Sequence, residues 1–143
     1  MTDRPTRAAY PYQTAITSRW NDNDIYGHIN NVAYYAFFDS AANAYLIAEG
    51  GLDIHAANVI GVVVESKCQY HAPLAYPEPL TAGVRVDKLG RTSVTYGIAI
   101  FNHGDLAAAH GHFVHVFVDR QTRKPVEIPA PLRTALEKIS AAK

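Results

Sequence analysis

The densest run of side chains able to do chemistry is Arg19-Trp20-Asn21-Asp22-Asn23-Asp24-Ile25-Tyr26-Gly27-His28-Ile29-Asn30-Asn31. It holds the carboxylates Asp22 and Asp24, the imidazole of His28 and a row of short amides. A carboxylate can attack an electrophilic carbonyl or take a proton from water, and an imidazole titrates near neutral pH. A carbonyl under attack gains negative charge on its oxygen, which needs donors aimed at it. Unpaired N–H groups at a helix N-terminus, reinforced by the helix dipole, supply such donors. Asn30 and Asn31 stand directly before an apolar run and suit either an N-cap or a ligand contact. Gly27 allows a tight turn and a close approach to backbone. The same composition also describes an ordinary Asx-rich turn, and on residue type alone Asp22 and Asp24 are equivalent.

Other reactive types are scattered. His110 and His112 are two apart, with His103 and His115 nearby, and two imidazoles on one strand face can bind zinc. No Cys or carboxylate pattern completes such a site, so no metal is expected. Cys68 has no His at a recognisable catalytic spacing and reads as a buried thiol. Lys88 and Arg91 flank Gly90 and precede Thr92 and Ser93, a run equally suited to a solvated turn or to phosphate contacts. Arg120, Arg123 and Lys124 read as surface charge.

The elements that must position these groups are legible from periodicity. Gln13 to Trp20 alternates as a first strand, and the Asx cluster then turns the chain. A helix is expected from Asn30 or Asn31 to about Glu49, ended by Gly50-Gly51. It would be about 28 Å long. Its apolar residues cannot share one stripe, so it is expected to be buried on most sides. Period-two patterning follows over Asn58–Tyr70, Leu80–Lys88, Ser93–Asn102 and Leu106–Asp119, with His103-Gly104-Asp105 as a tight hairpin connection. A short helix is expected from Pro131 to about Ile139, and Met1–Pro11 and Ser140–Lys143 read as loose tails. Burying one long helix with four long antiparallel strands and one shorter one calls for a curved sheet wrapped around it, an α+β architecture. About five strands leave an edge open, which dimerisation by edge pairing would cover.

At this point the segment resembles the Asp-x-x-Gly-His-x-Asn-Asn signature of hot-dog-fold thioesterases in the 4-hydroxybenzoyl-CoA thioesterase family. The resemblance extends over the helix Val32 to Leu46, over Val86-Asp87-Lys88-Leu89-Gly90-Arg91-Thr92-Ser93 and over Asp119 to Pro125, within a core of about 13–129. It implies a single hot-dog domain over 1–143 that hydrolyses acyl-CoA thioesters. It singles out Asp24 over Asp22 as nucleophile or general base, and the backbone N–H of Asn31 as oxyanion donor. His28 would shape the loop, and Lys88, Arg91, Thr92 and Ser93 would lie along coenzyme A. Glu65 is a candidate to reach the site across a dimer interface. No cofactor is implied, since coenzyme A is part of the substrate. The assembly implied is a homodimer or homotetramer. Many relatives carry Glu-x-x-Arg in the helix, where this chain reads Asp39-Ser40-Ala41-Ala42-Asn43, so the resemblance leaves the acyl specificity, aromatic or other, open.

Composition fits this reading. The 143 residues carry 13 basic and 13 acidic side chains, which gives no broad attraction to nucleic acid or an anionic membrane. Charged residues are only 18%, a hint that some surface is covered in an oligomer. A single cysteine, no apolar leader in Met1–Arg7 and no uninterrupted apolar span lead to the expectation of a cytoplasmic protein without a membrane segment. Two other functions share these features: a hot-dog hydratase or dehydratase using Asp24 and His28, and a non-catalytic acyl-CoA-binding module.

Overall fold

In the computed structural model, residues 4–140 are described. Strand β1 (Tyr12–Ile16) leads through a 3₁₀ turn (Trp20–Asp22) to helix α1 (Asn31–Gly50). Strands β2 (Val59–Tyr70), β3 (Leu80–Leu89), β4 (Ser93–Phe101) and β5 (Ala109–Asp119) follow, and helix α2 (Ala130–Lys138) comes last. The strands form one antiparallel sheet in the order β1-β3-β4-β5-β2.

The period-two pattern explains which face is buried. Val84 and Val86 of β3, Tyr96, Ile98 and Ile100 of β4, and Phe113 and Phe117 of β5 all point at α1 and are at most 2% exposed. From α1 they meet Phe37, Phe38, Ala41, Tyr45 and Leu46. Burying one such aromatic contributes roughly 2–3 kcal/mol. Ala41 and Ala42 are fully buried, and their small side chains let the helix lie close to the sheet. The α1 C-terminus is closed by Gly51 at φ 68°, whose N–H reaches the Leu46 carbonyl. Helix α2 docks on α1, and the Tyr45 hydroxyl donates to the Ala135 carbonyl. Bulges between Val63 and Glu65 and between Val86 and Lys88 bend the sheet around the helix.

Several expectations need correction. Strand β1 stops at Ile16 because the chain turns into the 3₁₀ segment, which a capping interaction between Arg19 and Asp22 stabilises. The N-terminal segment is not loose from residue 4 onward. Thr6 bridges Leu106, the Arg7 side chain donates to the Gly104 and Asn102 carbonyls, and Tyr10 is 3% exposed against Gly83. Long-range backbone pairing of an irregular segment carries no periodic signal. The same segment draws residues 102–108 out of the strands, so β5 starts at Ala109 rather than Leu106. Ser140 also bridges Val86; the rest of that expected tail lies outside the described residues, as do Met1–Asp3. Helix α1 is buried on fewer sides than its composition suggests: Val32 is 69% and Ile47 45% exposed.

Gly111 of β5 faces Cys68 of β2 across a very close approach. A Cβ added there would overlap the Lys67 carbonyl and stand 2.9 Å from the Cys68 Cα. Gly111→Ala is therefore expected to force the long outer strand β2 away from β5. The expected loss of stability in urea unfolding is about 3 kcal/mol or more.

Candidate active site

The Arg19–Asn31 segment folds into a loop whose backbone bonds are mutually closed. The Asp24 N–H donates to the His28 carbonyl at 2.9 Å and the Gly27 N–H to the Asp24 carbonyl at 3.1 Å. Gly27 sits at φ 83°, which accounts for a glycine at this position. The Ile29 N–H donates to the Leu74 carbonyl at 2.7 Å, and Ile29 is buried, which anchors the loop to the body.

The structure separates the two aspartates that residue type left equivalent. Asp22 is 6% exposed and both its oxygens are engaged by Arg19, one by the backbone N–H at 2.8 Å and one by the guanidinium at 3.0 Å. Asp24 is half-buried; its Oδ1 accepts the Tyr26 N–H at 2.9 Å, and its Oδ2 makes no hydrogen bond among the described residues. One oxygen is thus held and the other is available. Asp24 lines a hollow with Trp20, Ile25 and Gly27. Trp20, Ile25 and Tyr26 are 76%, 92% and 79% exposed, an apolar rim around that carboxylate.

Asn31 is the first residue of α1. The Asn30 side chain caps the helix by accepting the Val32 N–H at 3.0 Å, the Ala33 N–H uses the Asn30 carbonyl, and the Asn30 N–H donates to the Asp22 carbonyl. The Asn31 N–H itself donates to no acceptor among the described residues. Asn31 lines a second hollow of about 330 Å³ with His28, Tyr34, Tyr70 and His71. The His28 ring is exposed and makes no hydrogen bond among the described residues.

The remaining predicted residues lie elsewhere. Lys88, Arg91, Thr92 and Ser93 form the turn from β3 to β4, at the end of the sheet away from Asp24. The ten residues of β3 separate the two ends by roughly 30 Å. Arg91 pairs with Glu127 at 3.2 Å, but both side chains are 72% exposed, so the pair holds Arg91 weakly. Glu65 follows the β2 bulge and points away from α1, where it meets His112 Nε2 at 2.6 Å. One chain therefore sets Asp24 and Gly27 on one hollow and His28 and Asn31 on a second, linked through the Asp24 N–H to His28 carbonyl bond, and leaves the other five apart.

Of the other histidines, His71 and His110 pair with each other and His115 is buried in the core, whereas His112 meets Glu65 and His55 and His103 are exposed. His71 Nε2 and His110 Nδ1 are 2.7 Å apart with stacked rings. Among the described residues no group of three or more His, Cys, Asp or Glu side chains is placed to hold a metal ion. Burial pushes the Cys68 thiol up to about 11, so it is protonated at neutral pH. In the middle of α1 the Asn43 amide donates to the Asp39 carboxylate at 3.0 Å and to its carbonyl. Sequence reasoning missed Tyr70 beside Asn31; its only signal was an aromatic ending a strand on the helix-facing side.

His115 lies under α1, 1% exposed, with Nδ1 3.1 Å from the Tyr96 hydroxyl. Burial lowers its pKa to about 4, against 6.5 for an exposed imidazole. Between these values the unfolded chain binds a proton that the native one refuses. The stabilisation is therefore complete above about pH 6.5 and is lost as pH falls towards 4, a change on the order of 3 kcal/mol. His71 and His110 are also lowered by burial and act in the same direction. Urea midpoints measured from pH 7 to 4.5 are expected to fall, and to fall less in His115→Gln.

A curved antiparallel sheet around one long helix, with a carboxylate-bearing loop at the helix N-terminus, defines the hot-dog class of proteins. Residues 18–136 match the thioesterase-like superfamily, and the chain belongs to it; by class it is a thioester hydrolase. It is 26% identical over 129 residues to the long-chain acyl-CoA thioesterase FadM of Escherichia coli K12, covering 89% of this chain and 98% of that protein. The crystal structure of the PA5185 protein from Pseudomonas aeruginosa PAO1 is 52% identical, with a TM-score of 0.96 over 98% of this chain and 99% of that one. A Thermus thermophilus thioesterase crystallised with coenzyme A and zinc shares the fold, with a TM-score of 0.75 at 24% identity over 89% of this chain and 98% of that one.

Proposed function

We propose that this protein hydrolyses acyl-CoA thioesters to the free acid and coenzyme A. In this reading the Asn31 N–H receives the thioester oxygen, and Asp24 either attacks the carbonyl carbon or takes a proton from the attacking water. The observation that carries the reading is that one closed loop holds both a carboxylate with one oxygen free and, seven residues on, a helix N-terminal donor that is unused among the described residues. Likeness to FadM favours a coenzyme A thioester as substrate. A closer tie to the 4-hydroxybenzoyl-CoA thioesterases rests on the Asp24-to-Asn31 motif alone. Cys68, a lone reduced thiol, fits a cytoplasmic location.

The site is proposed to be shared between two copies of the chain. Strand β2 is an edge of the sheet, twelve residues long, and carries Val63 and Val64 at 47% and 59% exposure near its middle. Such an edge needs cover. Antiparallel pairing of two β2 strands about that middle sets the Tyr70 end of one copy beside the Val59 end of its partner. The partner's 88–93 turn lies at that same end, so Lys88 and Arg91 come within reach of the phosphates of a coenzyme A whose thioester sits at Asp24.

The test is free thiol release from a panel of acyl-CoAs spanning short, long and aromatic acyl groups. Release of coenzyme A with stoichiometric free acid is expected. Hydration of an enoyl-CoA without thiol release would move the protein to the lyases. Thermal stabilisation by acyl-CoA with no reaction would make it a binding module.

A further inference from the structure

Tyr70 ends β2, on the face of the sheet that meets α1. Its hydroxyl donates to the Asn31 carbonyl at 3.2 Å. Its ring stands edge-on to Tyr34, with centroids 5.0 Å apart and planes at 83°. Tyr34 is 3% exposed and fixed in the first turn of α1, so Tyr70 rests on an immobile neighbour. The Tyr70 ring itself is 45% exposed and borders the hollow that Asn31 lines.

First turns of helices fray, because their N–H groups lack partners within the helix. Here three contacts restrain the turn at successive residues. The Leu74 carbonyl holds the Ile29 N–H, the Asn30 side chain holds the Val32 N–H, and the Tyr70 hydroxyl holds the Asn31 carbonyl. Between them the Asn31 N–H is left without an acceptor among the described residues. Restraining a residue on both sides while leaving its own donor free is what a preorganised oxyanion donor requires. Misplacement by about 1 Å can cost on the order of a hundredfold in rate.

We propose that Tyr70 is a positioning residue for the oxyanion hole: its hydroxyl on the Asn31 carbonyl fixes the first residue of α1 so that the Asn31 N–H points at the thioester oxygen. This rests on the thioesterase reading above. Because Tyr70 ends the edge strand, it also ties the aim of that donor to the position of β2, the strand expected to pair with a second copy.

Tyr70→Phe keeps the ring against Tyr34 and removes only the hydroxyl. The expected result is a fall in kcat for acyl-CoA hydrolysis of about tenfold, with KM within about twofold of wild type and Tm nearly unchanged. Amide hydrogen exchange at Val32 and Ala33, whose N–H groups are bonded to Asn30, should quicken severalfold, with the rest of α1 unaffected. An unchanged kcat overturns the proposal. So does a rise in KM at constant kcat, which would make Tyr70 a substrate contact. Wild-type protein inert towards every thioester would sink the functional reading instead. The exchange measurement then decides the clamp by itself: unchanged exchange at Val32 and Ala33 overturns it, and faster exchange confined to that turn upholds it.

Discussion

Asp24→Ala is expected to lower kcat for acyl-CoA hydrolysis by about a thousandfold, with the fold intact. As nucleophile or as general base, the carboxylate takes part in the bond-forming step, and losses of this size follow from removing such a group. The structural cost is small. Asp24 is half-buried and contributes one accepted hydrogen bond, from the Tyr26 N–H in an exposed loop. Asp22→Ala should behave in the opposite way. That carboxylate is buried and answers both the backbone and the guanidinium of Arg19, so its loss costs about 1–3 kcal/mol of stability. The chemistry should survive wherever the protein stays folded. Circular dichroism melts beside thiol-release kinetics check both variants. Equal kinetic damage from the two would remove the distinction drawn between these aspartates.

The second large effect concerns the edge of the sheet. Val63→Glu combined with Val64→Glu places four carboxylates around the proposed two-fold axis, where like charges repel and apolar cover is lost. Both side chains are about half exposed in the single chain, so the change is tolerable there. Light scattering should give half the wild-type mass, and hydrolysis should fall at least a hundredfold although nothing near Asp24 has changed. The loss follows from the separation of the sites, since one chain alone keeps its 88–93 turn at the far end of the sheet from Asp24. A stable monomer with full turnover would show that each chain holds a complete site.

Most of the architecture could be read from the sequence because it is periodic. The strands repeat every second residue, and α1 is bounded by Asn30 and Gly51 within a residue or two of where its caps place it. The loop of Asp24 was equally visible, since Asx residues and Gly27 have local conformational reasons to be there. Four features were not legible, each for a physical reason. The choice between Asp22 and Asp24 depends on Arg19 folding back over one of them, which residue type does not encode. The face taken by Glu65 depends on the bulge at Val63 to Glu65, because one extra residue reverses the alternation. The distance from Asp24 to Lys88 and Arg91 depends on strand order, a non-local property. Tyr70 escaped notice for the same reason: its partner Asn31 is 39 residues away.

Whether one catalytic centre draws on two chains is tested most directly by mixing subunits. Asp24→Ala protein, nearly inactive, and Lys88→Ala/Arg91→Ala protein, weakened in binding coenzyme A, would be unfolded together, refolded and assayed at a thioester concentration that fills only the intact site. Mixed dimers then contain one intact site and one doubly damaged site, so about a quarter of the wild-type sites should return. Activity that merely averages the two parent variants would contradict the shared site and place the whole centre within a single chain.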